Sequence, residues 1–306
     1  MSENRLEGTL LALRTSATER QRRLGAELRK LREGVGMSIS EAGDAIGMGR
    51  THLSHVEAAR TAIPTDRLLA LCRTYGCTDE PYTEALVSLS EDSGKGWWSD
   101  YRRTMHPLAL DMAELEAASN ALSSYESLFI PGLFQIEDYT RSIFESDAAA
   151  TGTQLNEHAV TFRMERQEIL KGERPPQVHA IIHEAALHMR IGGPSTMRRQ
   201  LLRLIELADL PHVTIQIVPF AAEGVSTLST PFFIISSHGS TLETVLMEHP
   251  AQSLYLHEVE AVTKYRSQFA RLGSVALPSV DARVTPAAHD SSRDSLGLIQ
   301  HLLYTL

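Results

Sequence analysis

The stretch SISEAGDAIGMGRTHLSHVE, residues 38–57, decides the fold of the front of the chain. Ser38, with Glu41 three positions on, has the form of a capping box, in which each side chain satisfies the other residue's backbone N–H. Ala42, Ala45 and Ile46 then fall on the inner face of a short helix that stops at Gly47. After the turn Gly47-Met48-Gly49, a second short helix runs from about Arg50 to Ala58 with Leu53 and Val56 as its buried pair. Its other face is polar and left free.

Working outward, Arg22 to Leu31 sets Leu24, Leu28 and Leu31 at helical spacing among Arg22, Arg23, Arg29, Lys30 and Arg32, a basic amphipathic helix ended by Gly34 and Gly36. Downstream, Thr65 or Asp66 caps a helix carrying Leu68, Leu69, Leu71, Cys72 and Tyr75, terminated by Gly76. A fifth helix covers about Pro81 to Leu89. The polar, glycine-broken run from Ser90 to Gly96 reads as a linker, which places a helical domain at 1–90, a linker at 91–96 and a second domain at 97–306.

The second domain changes period along its length. Helices are expected at Leu110–Tyr125, Gln135–Phe144 and about Gln154–Leu170; strands at Val178–Ile182, Val213–Val218, Phe232–Ser236 and Thr244–Met247. Between and after them come helices at Thr196–Leu207, Glu258–Leu272 and Ser295–Leu303. The expected fold is an all-α five-helix domain followed by a mixed α/β (α+β) C-terminal domain, without internal repeats.

Composition narrows the function classes. With 306 residues, 42% hydrophobic and 22% charged, the chain is globular and large enough for two or three packed units. Its two cysteines, Cys72 and Cys77, form neither a CxxC pair nor a metal knuckle, which fits a reducing, cytoplasmic setting. Its opening residues carry Glu3, Glu7 and Arg14 rather than the apolar heart of a secretory signal, and its apolar runs fall short of a membrane span. Net charge is −9, yet residues 1–78 hold twelve Arg and Lys against nine Asp and Glu, while the rest hold seventeen against twenty-nine. Only the front suits a phosphate backbone.

Two short helices joined by a tight glycine turn inside a set of five form the unit that lays its second helix in the major groove of double-stranded DNA. Through Leu24-Gly25, Leu28, Leu31-Arg32, Gly36, Ser38, Gly47 and Glu57, the region Leu24–Tyr75 resembles the phage-repressor (XRE/Cro) helix-turn-helix family. The resemblance puts Arg50, Thr51, His52, Ser54 and His55 on the exposed side of the recognition helix, with Ser38 at the cap of the helix before it. Arg50 and His52 are assigned to base edges, Thr51 and His55 to phosphate, and Arg22, Arg23, Arg29 and Arg60 to flanking phosphates. The sequence departs from the family at Ile39, where a glutamine commonly donates to phosphate. It departs again at Gly43 and Asp44, which predict a weaker second helix, less welcoming to phosphate.

Beyond the linker, ordered matches extend almost to the C-terminus. They include Trp97-Trp98 with Tyr101, Tyr125-Glu126, Ile130-Pro131-Gly132-Leu133-Phe134-Gln135, Arg163 with Arg166-Gln167, His183-Glu184-Ala185-Ala186-Leu187, Val213–Phe220, Glu248-His249 and Tyr255-Leu256. This block resembles the companion domain of the actinobacterial antitoxin-like DUF5753 family. The resemblance implies a cytoplasmic, nucleoid-associated transcription regulator, a homodimer, with a small protein encoded nearby or a small-molecule effector as further partners. Repression is favoured over activation. Arg163, Arg166 and Gln167 share a helical face able to grip a carboxylate or phosphate, an internally paired face being the alternative. Trp97, Trp98, Tyr101 and Tyr125 are candidate pocket walls, or else cement between domains.

Enzymatic readings fail on spacing. In His179-Ala-Ile-Ile-His183-Glu184-Ala-Ala-Leu-His188 the glutamate follows His183, but the next histidine stands five positions on, not the four that a zinc-protease helix needs. There is no GxxxxGK[ST], no strand-linked GxGxxG and no GxSxG elbow. No catalytic residue, cofactor, metal or membrane partner is expected.

Overall fold

A computed structural model describes residues 17–91, 95–223, 230–237, 242–248, 253–281 and 294–306. Residues 92–94 of the expected linker, the first sixteen residues and His249 lie outside the described residues. The chain divides into two compact units, one of residues 1–118 with 237–242, the other of 119–236 with 243–306.

The first unit holds the five expected helices, α1 Glu19–Gly34, α2 Ile39–Ala45, α3 Arg50–Glu57, α4 Thr65–Thr74 and α5 Glu80–Glu91. Leu24, Leu28, Leu53, Leu68, Leu71 and Leu86 converge in their core. α1 starts three residues earlier than its leucine period indicates, because Thr18 and Gln21 form a capping box there. The glycine at 43 is no weakness: a Cβ on it would stand 2.4 Å from the Met48 carbonyl oxygen, so only glycine lets α2 approach the turn that leads into α3. Gly25 plays the same part between α1 and the end of α3, its absent Cβ falling 2.6 Å from the Glu57 carbonyl oxygen.

A 3-10 turn, Trp97–Tyr101, and a further helix, α6 Pro107–Ala117, complete this unit. Composition places these residues at the head of the second domain, whereas α6 packs on α1 through ion pairs that no local pattern reveals. Arg20 Nε meets Glu114 Oε1 at 2.6 Å with both side chains buried, and Arg22 Nη2 meets Asp111 Oδ2 at 2.9 Å. Arg20 also donates to the Leu89 carbonyl, which ties α5 to the same guanidinium.

The second unit is built on a six-stranded sheet of order β3-β2-β1-β4-β5-β6. Its strands are β1 Ser119–Glu126, β2 Gln177–His183, β3 Val213–Val218, β4 Phe232–Ser237, β5 Glu243–Met247 and β6 Leu254–Leu256. β1, β2 and β3 run parallel, with Ser124 opposite Ala180 and Ala180 opposite Ile215, while β4, β5 and β6 pair antiparallel. The crossovers contain α7 Glu137–Thr151, α8 Glu157–Arg166, α9 Glu184–His188 and α10 Gly193–Ala208. α11 Val259–Val275 sets Tyr265, Phe269 and Leu272 against Tyr125, Phe232 and Val245, and α12 Ser295–Thr305 ends the chain. The outer edge of β3 is covered by the segment leading to α12, where the N–H groups of Leu277 and Val280 donate to Ile217 and Ile215.

The expected helix over Leu110–Tyr125 is corrected. Helix ends at Ala117, and after Ala118 alone the chain becomes the central strand β1. Five of the eight residues of β1 are polar and none is β-branched, so neither the composition nor the alternation that marks a strand is present, and its alanine and leucine read as helix. Among the described residues no helix is long and apolar enough to cross a membrane, and no group of three or more His, Cys, Asp or Glu is placed to hold a metal.

Candidate nucleic-acid interface

Eight residues make α3, and two of them bury: Leu53, fully, and Val56. The helix is fixed from below by Glu57, whose carboxylate takes a fork from Arg32, Nε to Oε1 at 2.7 Å and Nη2 to Oε2 at 2.9 Å. Arg32 Nη1 also donates to the Met37 carbonyl at 2.8 Å, so one guanidinium holds α1, the loop before α2 and the end of α3. With that end clamped, Arg50, Thr51 and His52 stand exposed on the first turn, and Ser54 and His55 are half-buried further along. Ser38 caps α2 as expected: its Oγ accepts from the Glu41 N–H at 3.2 Å and its own N–H donates to Glu41 Oε2 at 2.8 Å. Ile39 is turned partly into the core.

The cations differ from expectation. Arg23 is only 6% exposed and pairs with Glu27 at 2.9 Å, which corrects its assignment to phosphate. Arg22 is partly exposed but held by Glu19 at 2.7 Å and Asp111 at 2.9 Å. Arg29 is open to solvent and pairs with Glu33 one turn on, at 2.8 Å. Arg50 and Arg60 are exposed and form no ion pair among the described residues. The basic surplus of the front is therefore largely taken up by ion pairs, and among its described residues the exposed arginines left without one are Arg50 on α3, Arg60 on the loop after it and Arg73 on α4.

In the second unit, Arg163, Arg166 and Gln167 belong to an internal network around the loop after β1. Gln167 donates to the carbonyls of Gly132 and Gln135, at 3.0 and 2.7 Å, and Arg163 donates to Gln135 Oε1 at 2.9 Å while lying over the Phe144 ring. Arg166 is buried beside Gly132. Gln135 in turn donates to the Ile130 carbonyl at 2.7 Å and accepts from Thr140. The four aromatics divide: Trp97 meets Trp98 and Tyr101 edge-on in the first unit, whereas Tyr125 packs on Phe232 in the core of the second. The histidines of 179–188 have local partners, His179 with Gln216 at 2.8 Å, His183 capping α9, and His188 with Glu184 at 3.2 Å. Burial holds His179 and His183 below the usual imidazole range.

A family model described as a helix-turn-helix domain matches residues 23–85, and one described as a domain of unknown function, DUF5753, matches residues 109–285, more than half of the chain. The chain belongs to the DUF5753 family. No curated protein and no solved structure matches it. The DUF5753 match begins within α6, two residues after the first of that helix, so the element that clamps α1 through Asp111 and Glu114 is counted in the family region. The helix-turn-helix match spans α1 to α4 and ends within α5.

Within the DUF5753 region, sequence reasoning gave roles to Arg163 and Arg166 but none to Glu126. That residue ends β1 and is buried near both arginines and Glu248. Its signal, a glutamate closing a run of mostly small and polar residues, is ordinary in a sequence and becomes unusual only once the strand is seen inside the sheet. Asp111 and Glu114 were missed for a similar reason, since their partners lie some ninety positions away.

Proposed function

We propose that this DUF5753 protein is a sequence-specific DNA-binding transcription regulator, a repressor, that acts by binding rather than by catalysis. The observation that carries the reading is the exposed first turn of α3, with Arg50, Thr51 and His52 facing solvent on a helix clamped by the buried Arg32–Glu57 fork. A helix so presented enters the major groove with its N-terminal residues at base edges. Arg50 is suited to guanine O6 and N7, and His52 to a neighbouring base. Arg60 and the capped start of α2 at Ser38 supply phosphate contacts that set position without reading sequence. Few unpaired cations mean a shallow dependence of affinity on salt for each copy. Two copies give the spacing that a palindromic operator requires, with their recognition helices about 34–36 Å apart.

The test is a shift assay at stated salt on the DNA upstream of the protein's own gene, with Arg50→Ala and His52→Ala beside the parent chain. Specific binding by the parent and its loss in the variants support the reading. Binding that is unchanged in both removes the assigned role of α3.

A further inference from the structure

Helix α9, part of the histidine-rich string that no enzymatic reading uses, borders a cavity of about 220 Å³ inside the second unit, with α10 and α12 as the other walls. The floor is apolar. Leu187, Met197, Leu298 and Leu302 line it, each 7% exposed or less, and Leu298 and Leu302 share one face of α12. The walls are tied to their surroundings at two points: Arg198 of α10 donates to the Leu303 carbonyl near the end of α12, and the Phe220 N–H, just after β3, donates to Glu184 Oε2 at 2.6 Å.

Charge at the mouth is unevenly committed. Glu184 is bonded at both oxygens, since His188 Nε2 meets its Oε1 at 3.2 Å. Arg190, in the turn from α9 to α10, lines the same cavity, is exposed and forms no ion pair among the described residues. That turn is closed by the Gly193 N–H on the Arg190 carbonyl at 3.0 Å, with Gly192 and Gly193 both left-handed, so the backbone that carries the guanidinium is set. His301 of α12 also lines the cavity, and its ring has no hydrogen-bond partner among the described residues.

We propose that this cavity binds a small monocarboxylic acid with an apolar tail, the tail laid on Leu187, Met197, Leu298 and Leu302 and the carboxylate directed to Arg190 and His301. The volume is below the roughly 300–1,000 Å³ of sites for drug-sized ligands and amounts to about seven waters' share of liquid, which suits an acid of roughly six to eight carbons. An ammonium would find the Glu184 carboxylate already bonded at both oxygens, and an uncharged molecule would gain nothing from Arg190. The site is independent of the DNA-binding reading, because occupancy is measured on the protein alone.

The experiment is calorimetric titration and thermal unfolding of the full chain with butyrate, hexanoate, octanoate and decanoate, and with 1-hexanol and hexylamine as probes that keep the tail and change the head. Hexanoate and octanoate are expected to saturate a single site and to raise the melting temperature at millimolar concentration. Affinity is expected to climb about tenfold from butyrate to hexanoate, the effect of burying two more methylenes, and to level off by decanoate, whose tail outgrows the cavity. Both altered heads are expected to bind about tenfold more weakly than hexanoate. Arg190→Ala, at an exposed position that leaves the fold intact, is expected to weaken hexanoate by about the same factor and to leave 1-hexanol where it was. The proposal is overturned if no carboxylate binds, if 1-hexanol or hexylamine binds as tightly as hexanoate, if affinity keeps climbing through decanoate, or if Arg190→Ala binds hexanoate unchanged.

Discussion

Arg32 in the first unit and Glu126 in the second are both buried ionisable groups, and the chain treats them oppositely. Arg32 is closed: it forks onto Glu57 and caps the Met37 carbonyl, so its charge is spent on holding α3 at a fixed angle. Glu126 is not: burial, and then Glu248, push its carboxyl up to about 8 against the pull of Arg163 and Arg166, so the fold holds it as the neutral acid. A closed pair keeps its charge and orders the elements it joins, whereas a buried carboxyl dominated by desolvation gives its charge up. The same contrast sorts the arginines of the front. Arg20, Arg22 and Arg23 are tied into the fold by Glu114, Glu19 with Asp111, and Glu27, while Arg50 and Arg60 are left to the outside.

The strongest way to break this contrast is to open the closed pair. Glu57→Ala leaves the Arg32 guanidinium buried without its partner and is expected to cost about 3–5 kcal/mol, read as a lower urea midpoint at unchanged slope. An unaltered midpoint would show that the fork is dispensable. Next comes Gly43→Ala, which raises helix propensity yet drives a Cβ to 2.4 Å from the Met48 oxygen. It is expected to destabilise by about 1–3 kcal/mol, and a stabilised variant would mean that α2 is free to shift. On the open side, Arg50→Ala is expected to cost about 1–3 kcal/mol of affinity for the specific operator and much less for unrelated DNA, by titration at two salt concentrations.

Glu126 sharpens the contrast through pH. Its carboxyl lies at about 8 in the fold against an ordinary 4.5, so the folded state holds the proton that the unfolded chain releases. The resulting contribution to stability is whole in acid and is lost progressively as pH rises from about 4.5 to about 8, with no further change above. Glu126→Gln cannot titrate and should escape that loss. Its melting temperature relative to the parent should climb across the interval, and a constant difference would mean that the carboxyl is ionised throughout. The smallest effect is expected at Arg29, whose partner Glu33 shares its exposed helix face. Arg29→Ala should leave both the melting temperature and the salt slope of DNA binding unmoved.

Much of the front could be read without coordinates. The capping box at Ser38 and Glu41, the turn at Gly47 and the Leu53–Val56 pair are local, and each depends on neighbours within one or two turns of helix. Gly43 could not be judged in the same way, because what it touches is a backbone oxygen across the turn rather than its own helix. The basic helix α1 misled for a related reason. Its arginines have the look of a phosphate-binding face, but Asp111 and Glu114, brought in by α6, are required to see that two of them are taken.

In the DUF5753 region β2 and β3, with their β-branched runs at 178–182 and 213–218, announced themselves, while β1 did not. Order along the chain, composition and the spacing of apolar residues determined that a helical domain precedes a mixed one, since helix turns and strand pleats impose their period on any sequence that forms them. Which charges are cancelled and which stay available was decided only by the tertiary fold. Ionic pairing depends on distance in space, and residues separated by tens of positions have none until the chain has closed.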